Sequence, residues 1–173
     1  MPDSVYVRQQ GRGTSLMEYW PLFSLTGISA LAGLAIANGS GQITMTGFMH
    51  GFMGVFLCVF AMLKIFNLKG FKRGFTMYDV LAKRVKSYAF VYPFIELALG
   101  LAYLAFFMPV ATYWATIIIF SFGTLGVLTA LREGLDIDCP CMGSILSVPL
   151  STVTLTEDLA MVGMAVMQLV QGA

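Results

Sequence analysis

Long apolar runs separated by short polar stretches dominate the chain. The five runs are Trp20 to Ala37, about Thr46 to Phe66, Tyr88 to Met108, Ala111 to Ala130 and Leu155 to Val170. The apolar core of a bilayer is about 30 Å thick and an α-helix rises about 1.5 Å per residue, so one crossing needs about 20 apolar residues. The fifth run gives only about 24 Å of helix. The pattern predicts an all-α, polytopic membrane helix bundle with four core transmembrane helices and a shorter C-terminal fifth helix.

The polar connections determine the domain organisation. The fourth run follows Pro109 almost without a loop, which predicts an antiparallel hairpin with the third run. The only long polar connection extends from Asn67 to Ser87. Because these connections are too short to build a second globular domain, we predict an N-terminal cytoplasmic segment (1–19) and a single transmembrane bundle domain (20–173).

Local sequence features add detail to three of the runs. Thr154 and Glu157 have the spacing of a capping box, which predicts that the fifth helix begins there. Small residues at four-residue spacing favour close packing of the first two helices; they are Gly33 with Ala37 and Gly47 with Gly51.

Composition supports a membrane protein. The chain is 58% hydrophobic and 11% charged, whereas soluble domains are about one quarter charged. Its mean hydropathy is +0.81. No basic helix interleaved with aromatic residues is present in the sequence, so we expect no nucleic-acid partner.

The positions of the basic residues predict the orientation. All ten lysines and arginines fall on one side of the predicted topology, and the connections at 38–45 and around Pro109 carry none. The positive-inside rule therefore places the N-terminus and the segment with Cys139 and Cys141 in the cytoplasm. Lys64, near the end of the second run, is expected to extend to the membrane interface.

Cys139 and Cys141 flank Pro140 and form the most distinctive local motif. Such a pair can close a strained disulfide, and strained, exposed disulfides are the labile or catalytic ones. The two thiolates can instead bind a soft metal ion such as Cu(I). The simplest alternative is a turn that carries two buried thiols. The spacing does not separate redox from metal chemistry, although a cytoplasmic pair is normally reduced.

Methionines and the only histidine form the second signal. The candidate metal ligands beside the cysteine pair are His50, Met49, Met53, Met161 and Met164. Met49 and Met53 continue a four-residue repeat from Met45 on one face of the second helix. Such repeats are usually core packing, because methionine fills irregular gaps between helices. A histidine inside a membrane span strengthens the metal-site interpretation relative to core packing.

Glu96 is the third signal, because it lies inside the third run, three residues after Pro93. An ionisable group at that depth should face the bundle interior and is a candidate functional residue. Its structural alternative is a hydrogen bond near the proline kink.

Five segments resemble one known family. They are Phe75–Arg84, Tyr88–Glu96, Cys139–Cys141, Val148–Leu150 and Leu155–Met161. The chain resembles the MauE/DoxX-like family of redox-associated membrane proteins over roughly 49–167. The resemblance implies a small helical bundle in a bacterial inner membrane that assists a thioredoxin-like partner with disulfides.

Other branches of this family resemble the chain more closely and are joined to glutaredoxin-like or heavy-metal-associated domains. The segment Met1 to Tyr19 is too short for either domain. The resemblance therefore implies a partner of one of these kinds in trans.

Three functional hypotheses follow. The first is a redox-associated protein in which Cys139 and Cys141 exchange electrons with a partner protein, while Glu96 and His50 line an interior polar path. The second is binding or transport of Cu(I) or another soft metal, with no cofactor certain. The third is a non-catalytic subunit of a membrane complex or homo-oligomer. We rank the redox hypothesis first by a narrow margin.

Overall fold

The computed structural model describes residues 19–39, 44–79, 82, 85, 87–132 and 150–172. Helices account for nearly all of this part of the chain. They are α1 (Trp20–Gly39), α2 (Met45–Phe66), α3 (Leu68–Tyr78), α4 (Tyr88–Leu104), α5 (Pro109–Arg132) and α6 (Leu150–Val170). By length and composition, α1, α2, α5 and α6 can each cross a membrane. The predicted all-α membrane fold is confirmed.

α1 packs against α2 through small residues. A Cβ atom added to Gly33 would lie 2.8 Å from the backbone nitrogen of Phe52, and one added to Gly51 would lie 2.9 Å from the Cα atom of Gly33. Only glycine permits this approach, because any side chain at either position would meet backbone atoms of the neighbouring helix. The close packing predicted from the small-residue spacing is therefore confirmed at Gly33 and Gly51.

α2 and α4 pack antiparallel. Near the start of α2, His50 contacts Tyr103 near the end of α4, and near the end of α2, Lys64 contacts Glu96 in the middle of α4. α4 has only 17 residues, or about 25 Å of helix. It nevertheless crosses the bundle, because it begins at the end where α2 finishes and leads to the opposite end, where α5 begins.

A tight turn joins α4 to α5. Phe106 and Met108 have positive φ angles of 50° and 40°, which side-chain-bearing residues rarely adopt. Pro109 then occupies the first position of α5, where its fixed φ suits a helix start. The predicted antiparallel hairpin is confirmed.

The connection between α2 and α4 contains a helix that the polar composition did not predict. The Asn67 side chain accepts a hydrogen bond from the Gly70 amide at the start of α3. Phe71 and Phe75 are buried against the bundle, whereas Lys69 is exposed. With 11 residues, this amphipathic, basic helix is too short to cross a membrane.

α6 begins earlier than the sequence predicted. It starts at Leu150, so Thr154 and Glu157 lie inside the helix and the predicted capping box is wrong. Both side chains are buried among the helices. With 21 residues, α6 reaches about 32 Å.

The bundle has two ends that differ in charge. We call the end where α2 and α5 finish, and where α4 and α6 begin, the basic end. All lysines and arginines within the described ranges lie toward it; they are Lys64, Lys69, Lys72, Arg73 and Arg132. The opposite end holds the end of α1, the start of α2, the α4–α5 turn and the end of α6. α6 runs antiparallel to α2. Near the end of α6, the Gln168 side-chain amide lies 3.5 Å from the carbonyl oxygen of Thr46 near the start of α2.

Candidate functional site

A buried ion pair joins α2 to α4. The Lys64 Nζ donates hydrogen bonds to both carboxylate oxygens of Glu96, at 2.6 Å to Oε1 and 2.5 Å to Oε2. Each side chain is only 2% exposed. Such a bidentate, charge-assisted contact is among the stronger hydrogen-bond arrangements. Removing one partner of a buried pair typically costs about 3–5 kcal/mol, because the other charge is left uncompensated.

α6 contributes a second carboxyl to the same ammonium. The Glu157 Oε1 lies 3.8 Å from Lys64 Nζ. Among the described residues, neither Glu157 oxygen makes a hydrogen bond, although both are buried. We call Lys64, Glu96 and Glu157 the carboxyl cluster. The carboxyl cluster extends from Glu96, in the middle of α4, toward the basic end.

Aromatic rings surround the Lys64 ammonium on its remaining sides. The ring centroids of Phe60, Phe71 and Tyr92 lie 5.7, 5.9 and 5.5 Å from Nζ. Rings at this distance attract a cation through their negative faces. α2, α3 and α4 therefore all hold the lysine inside the bundle.

A small cavity of about 10 Å³ adjoins the carboxyl cluster. Glu157, Asp158 and Thr154 of α6 supply its polar lining, together with Lys64. A Cβ atom added to Gly123 of α5 would lie 2.8 Å from Asp158 Oδ2, so the glycine makes room for this carboxyl. The cavity is at the lower limit of the volume that holds one water molecule.

A second polar cluster surrounds His50 toward the opposite end. Its Nδ1 lies 3.0 Å from the Tyr103 carbonyl oxygen, and its Nε2 forms a hydrogen bond with the Tyr113 hydroxyl. A carbonyl can only accept, so Nδ1 carries the hydrogen, and in the neutral imidazole Nε2 accepts from the Tyr113 O–H. The Tyr103 hydroxyl donates in turn to Thr116 at 2.9 Å. We call these four residues the histidine cluster.

The histidine ring also packs against the α4–α5 turn. The rings of His50 and Phe106 are stacked with centroids 4.2 Å apart and planes 5° from parallel. His50 is 1% exposed. The imidazole is therefore fixed on its edges by two hydrogen bonds and on one face by the strained residue of the turn.

The structure places the predicted residue Glu96 in the bundle interior, 2% exposed. It pairs with Lys64 rather than with a backbone carbonyl near Pro93. The expectation that Lys64 extends to the membrane interface is wrong, because its ammonium turns inward to the carboxylate of Glu96.

The predicted soft-metal ligands of α2 and α6 lie in or beside the core. Met53 and Met161 belong to the same buried apolar cluster, and Met164 packs against it. Met49 is 6% exposed and precedes His50, whose two ring nitrogens already have protein partners. No three His, Cys, Asp or Glu side chains converge as a metal site within the described ranges. The metal role of these residues stays a prediction.

Cys139 and Cys141 lie outside the described residues. They belong to the connection 133–149, whose flanking helix ends, Arg132 and Leu150, both stand at the basic end. Their chemical role stays a prediction.

Sequence reasoning missed most partners of the two clusters. Lys64 and Glu157 are ionisable residues inside apolar runs, and the rule that selected Glu96 applies equally to both. Tyr103 and Tyr113 carry no comparable signal, because tyrosines are common in membrane helices and only the turn at Pro109 brings these two together.

Residues 41–171 match the model of the family described as methylamine utilisation protein MauE. The chain belongs to this family. The MauE match includes every residue of the carboxyl and histidine clusters and leaves α1 outside. No curated protein and no solved structure matches the chain. Together with the four long apolar helices, the MauE match identifies a multi-pass membrane protein connected by its family name with methylamine utilisation.

Proposed function

We propose that this MauE-family protein is a membrane-embedded component of thiol–disulfide exchange. In this proposal, Cys139 and Cys141 exchange electrons with a soluble thioredoxin-like or glutaredoxin-like protein. We place the pair on the cytoplasmic side of a bacterial inner membrane, as the positive-inside rule predicts.

One observation carries the proposal. The Cys-Pro-Cys sequence belongs to the connection between α5 and α6, and both helix ends stand at the basic end, where the carboxyl cluster is also found. Thiol exchange requires groups that accept and return protons, because only the thiolate is the nucleophile. Buried carboxyls toward the same end of the bundle fit this requirement.

The proposed exchange has two steps. The thiolate of one cysteine attacks a sulfur of the partner's disulfide, forms a mixed disulfide and expels a partner thiolate, which takes up a proton. The second cysteine loses its proton and attacks the mixed disulfide. This attack releases the partner as a dithiol and closes the Cys139–Cys141 disulfide. Two electrons pass to the partner, and the same steps run in reverse when the partner is the reductant.

Glu96 has a supporting role in this proposal. Its ion pair with Lys64 fixes α2 to α4. The cavity beside this pair is also lined by Asp158 and Thr154 of α6. α6 follows the cysteine segment directly in the chain. A change at Glu96 should therefore slow the exchange without abolishing it, whereas loss of either cysteine should abolish it.

The full-length protein in lipid nanodiscs tests the proposal. Its reduced form is mixed with oxidised thioredoxin or oxidised glutaredoxin, and alkylation followed by mass analysis measures the transfer of the disulfide. Cys139→Ser and Cys141→Ser should each stop turnover, and one of them should accumulate the mixed disulfide. Cys58→Ser is the matched control and should react normally. An unchanged rate in the double Cys139→Ser/Cys141→Ser variant would contradict the proposal and favour the non-catalytic subunit.

Cu(I) binding is the second candidate, because Met53 and Met161 from two helices share one buried cluster. In this alternative, thiolates and thioethers bind the ion and a heavy-metal-associated domain in trans exchanges it. A metal at His50 would have to displace Tyr113 or Tyr103 from the ring nitrogens. Titration of the reduced protein with Cu(I) against a chelator of known affinity tests this alternative. Binding that is lost in Cys139→Ser/Cys141→Ser and weakened in Met53→Leu would support it.

A further inference from the structure

The carboxyl cluster has fewer positive than negative groups. Lys64 supplies one ammonium, and the carboxyls of Glu96 and Glu157 both lie within 4 Å of it. Two ionised carboxylates would leave an excess negative charge in a buried site. An isolated buried carboxylate is so costly that such groups take up a proton instead.

The geometry identifies the protonated carboxyl. Both oxygens of Glu96 receive hydrogen bonds from the ammonium, at 2.6 and 2.5 Å, which favours the carboxylate form of Glu96. Glu157 is 5% exposed and its nearer oxygen is 3.8 Å from the ammonium, beyond hydrogen-bond distance. The proton therefore belongs on Glu157.

We propose that Lys64, Glu96 and Glu157 form a proton-binding site, in which one exchangeable proton resides on the carboxyl that is not paired with Lys64. This site does not depend on the thiol chemistry of Cys139 and Cys141.

Asp158 is the one other carboxyl among the described residues that line the cavity. α3 and α5 line the cavity with Phe71, Phe75 and Gly123, none of which titrates. Tyr92 from α4 and Thr154 and Asp158 from α6 complete the lining. The Tyr88 phenol lies within electrostatic reach of Asp158 and of the Asp79 carboxyl.

The cavity provides the route for the proton. Its volume of about 10 Å³ fits a single water molecule, and Glu157, Asp158 and Thr154 offer that water polar partners. A proton that leaves Glu157 through this water produces a carboxylate that attracts the Lys64 ammonium. Glu96, released from the ammonium, then takes up a proton supplied by water at the basic end. One proton is released and one is bound, and the net charge of the three groups is unchanged.

Infrared spectroscopy of the full-length protein in nanodiscs tests the proposal. A protonated carboxyl has a C=O stretching band that is separate from carboxylate bands and shifts in D₂O. At neutral pH the wild type should show such a band. Glu157→Gln should lose it. Glu96→Gln should also lose it, because Lys64 would then pair with an ionised Glu157.

Lys64→Met should approximately double the band, because both carboxyls would then hold a proton. Glu18→Gln, a change in the N-terminal segment, is the control and should keep the wild-type band. Absence of the band in the wild type, or its survival in both Glu157→Gln and Glu96→Gln, would overturn the proposal. If Lys64→Met does not fold, the two glutamine variants still test whether the band belongs to the carboxyl cluster. A negative infrared result would not affect the proposed Cys139–Cys141 exchange, which the disulfide-transfer assay tests separately.

Discussion

Single buried polar side chains connect the helices of this bundle. His50 illustrates this at the opposite end, where it joins the Tyr103 carbonyl of α4 to the Tyr113 hydroxyl of α5. Lys64 does the same for α2, α4 and α6. Each residue is buried, so the partner that remains after a substitution has no water to replace the lost contact.

Tyr113→Phe should therefore lower the stability of the bundle. The change keeps the ring and removes the hydroxyl, so the Nε2 of His50 remains buried without its donor. An unsatisfied buried polar group costs about 1–3 kcal/mol. Thermal unfolding in detergent micelles measures the difference, with Tyr19→Phe, a half-buried tyrosine beside the start of α1, as the control. Equal midpoints for the two variants would contradict the role of the histidine cluster.

Sequence could identify Glu96 and His50 but not their partners. A charged or imidazole side chain inside an apolar run must find a polar neighbour, and this requirement is visible without a structure. Which neighbour it finds depends on helix rotation and on which helices touch. For this reason Lys64 was expected at the interface, although it lies 2.5 Å from a carboxylate.

At the scale of elements, glycines determine how closely the helices approach. Gly33 and Gly51 allow backbone contact between α1 and α2, and Gly54 and Gly100 do the same between α2 and α4. α1 makes its principal contacts with α2 alone and lies outside the MauE match. Its attachment therefore depends on a single glycine-mediated crossing.

Gly33→Val should detach or displace α1. A Cβ at this position would lie 2.8 Å from the Phe52 backbone nitrogen, which cannot move without disturbing α2. Overpacking of this kind typically costs about 1–3 kcal/mol. Gly27→Val is the matched control, because a Cβ at Gly27 meets no atom within 4 Å in the described structure. Both variants are compared by thermal unfolding and by protease digestion of α1, and equal behaviour would contradict the proposed crossing.

Sequence periodicity and length predicted the elements well wherever a run was apolar throughout. The starts of α1 and α2 fall within one residue of the predicted positions. α3 was missed because its apolar residues are interleaved with basic residues and glycines, so the segment does not stand out by composition. The start of α6 was placed too late because Thr154 and Glu157 imitate a capping box while their side chains serve the bundle interior.

At the scale of the whole molecule, charge divides the bundle. The basic end carries every lysine and arginine within the described ranges, and the α4–α5 turn at the opposite end exposes apolar residues such as Phe107, which is 63% exposed. The positive-inside rule predicts that the basic end faces the cytoplasm.

Thiol labelling of intact bacterial cells tests this orientation. In a Cys58→Ser background, a membrane-impermeant maleimide should leave Cys139 and Cys141 unlabelled until the membrane is permeabilised. Phe107→Cys, in a background that also lacks these two cysteines, should be labelled in intact cells because it lies in the turn at the opposite end. The reverse pattern would invert the topology and place the thiol pair outside the cytoplasm.

The two polar clusters are separated along α2 by buried apolar side chains, including Met53, Leu57 and Phe60. Apolar protein has a low dielectric constant, so we expect much of a transmembrane voltage to fall across this layer. One elementary charge that crosses the full field changes energy by about 2.3 kcal/mol per 100 mV. A proton that reaches Glu157 from the basic end crosses only part of that field. Its occupancy should therefore follow the pH on the basic side closely and the membrane voltage only weakly.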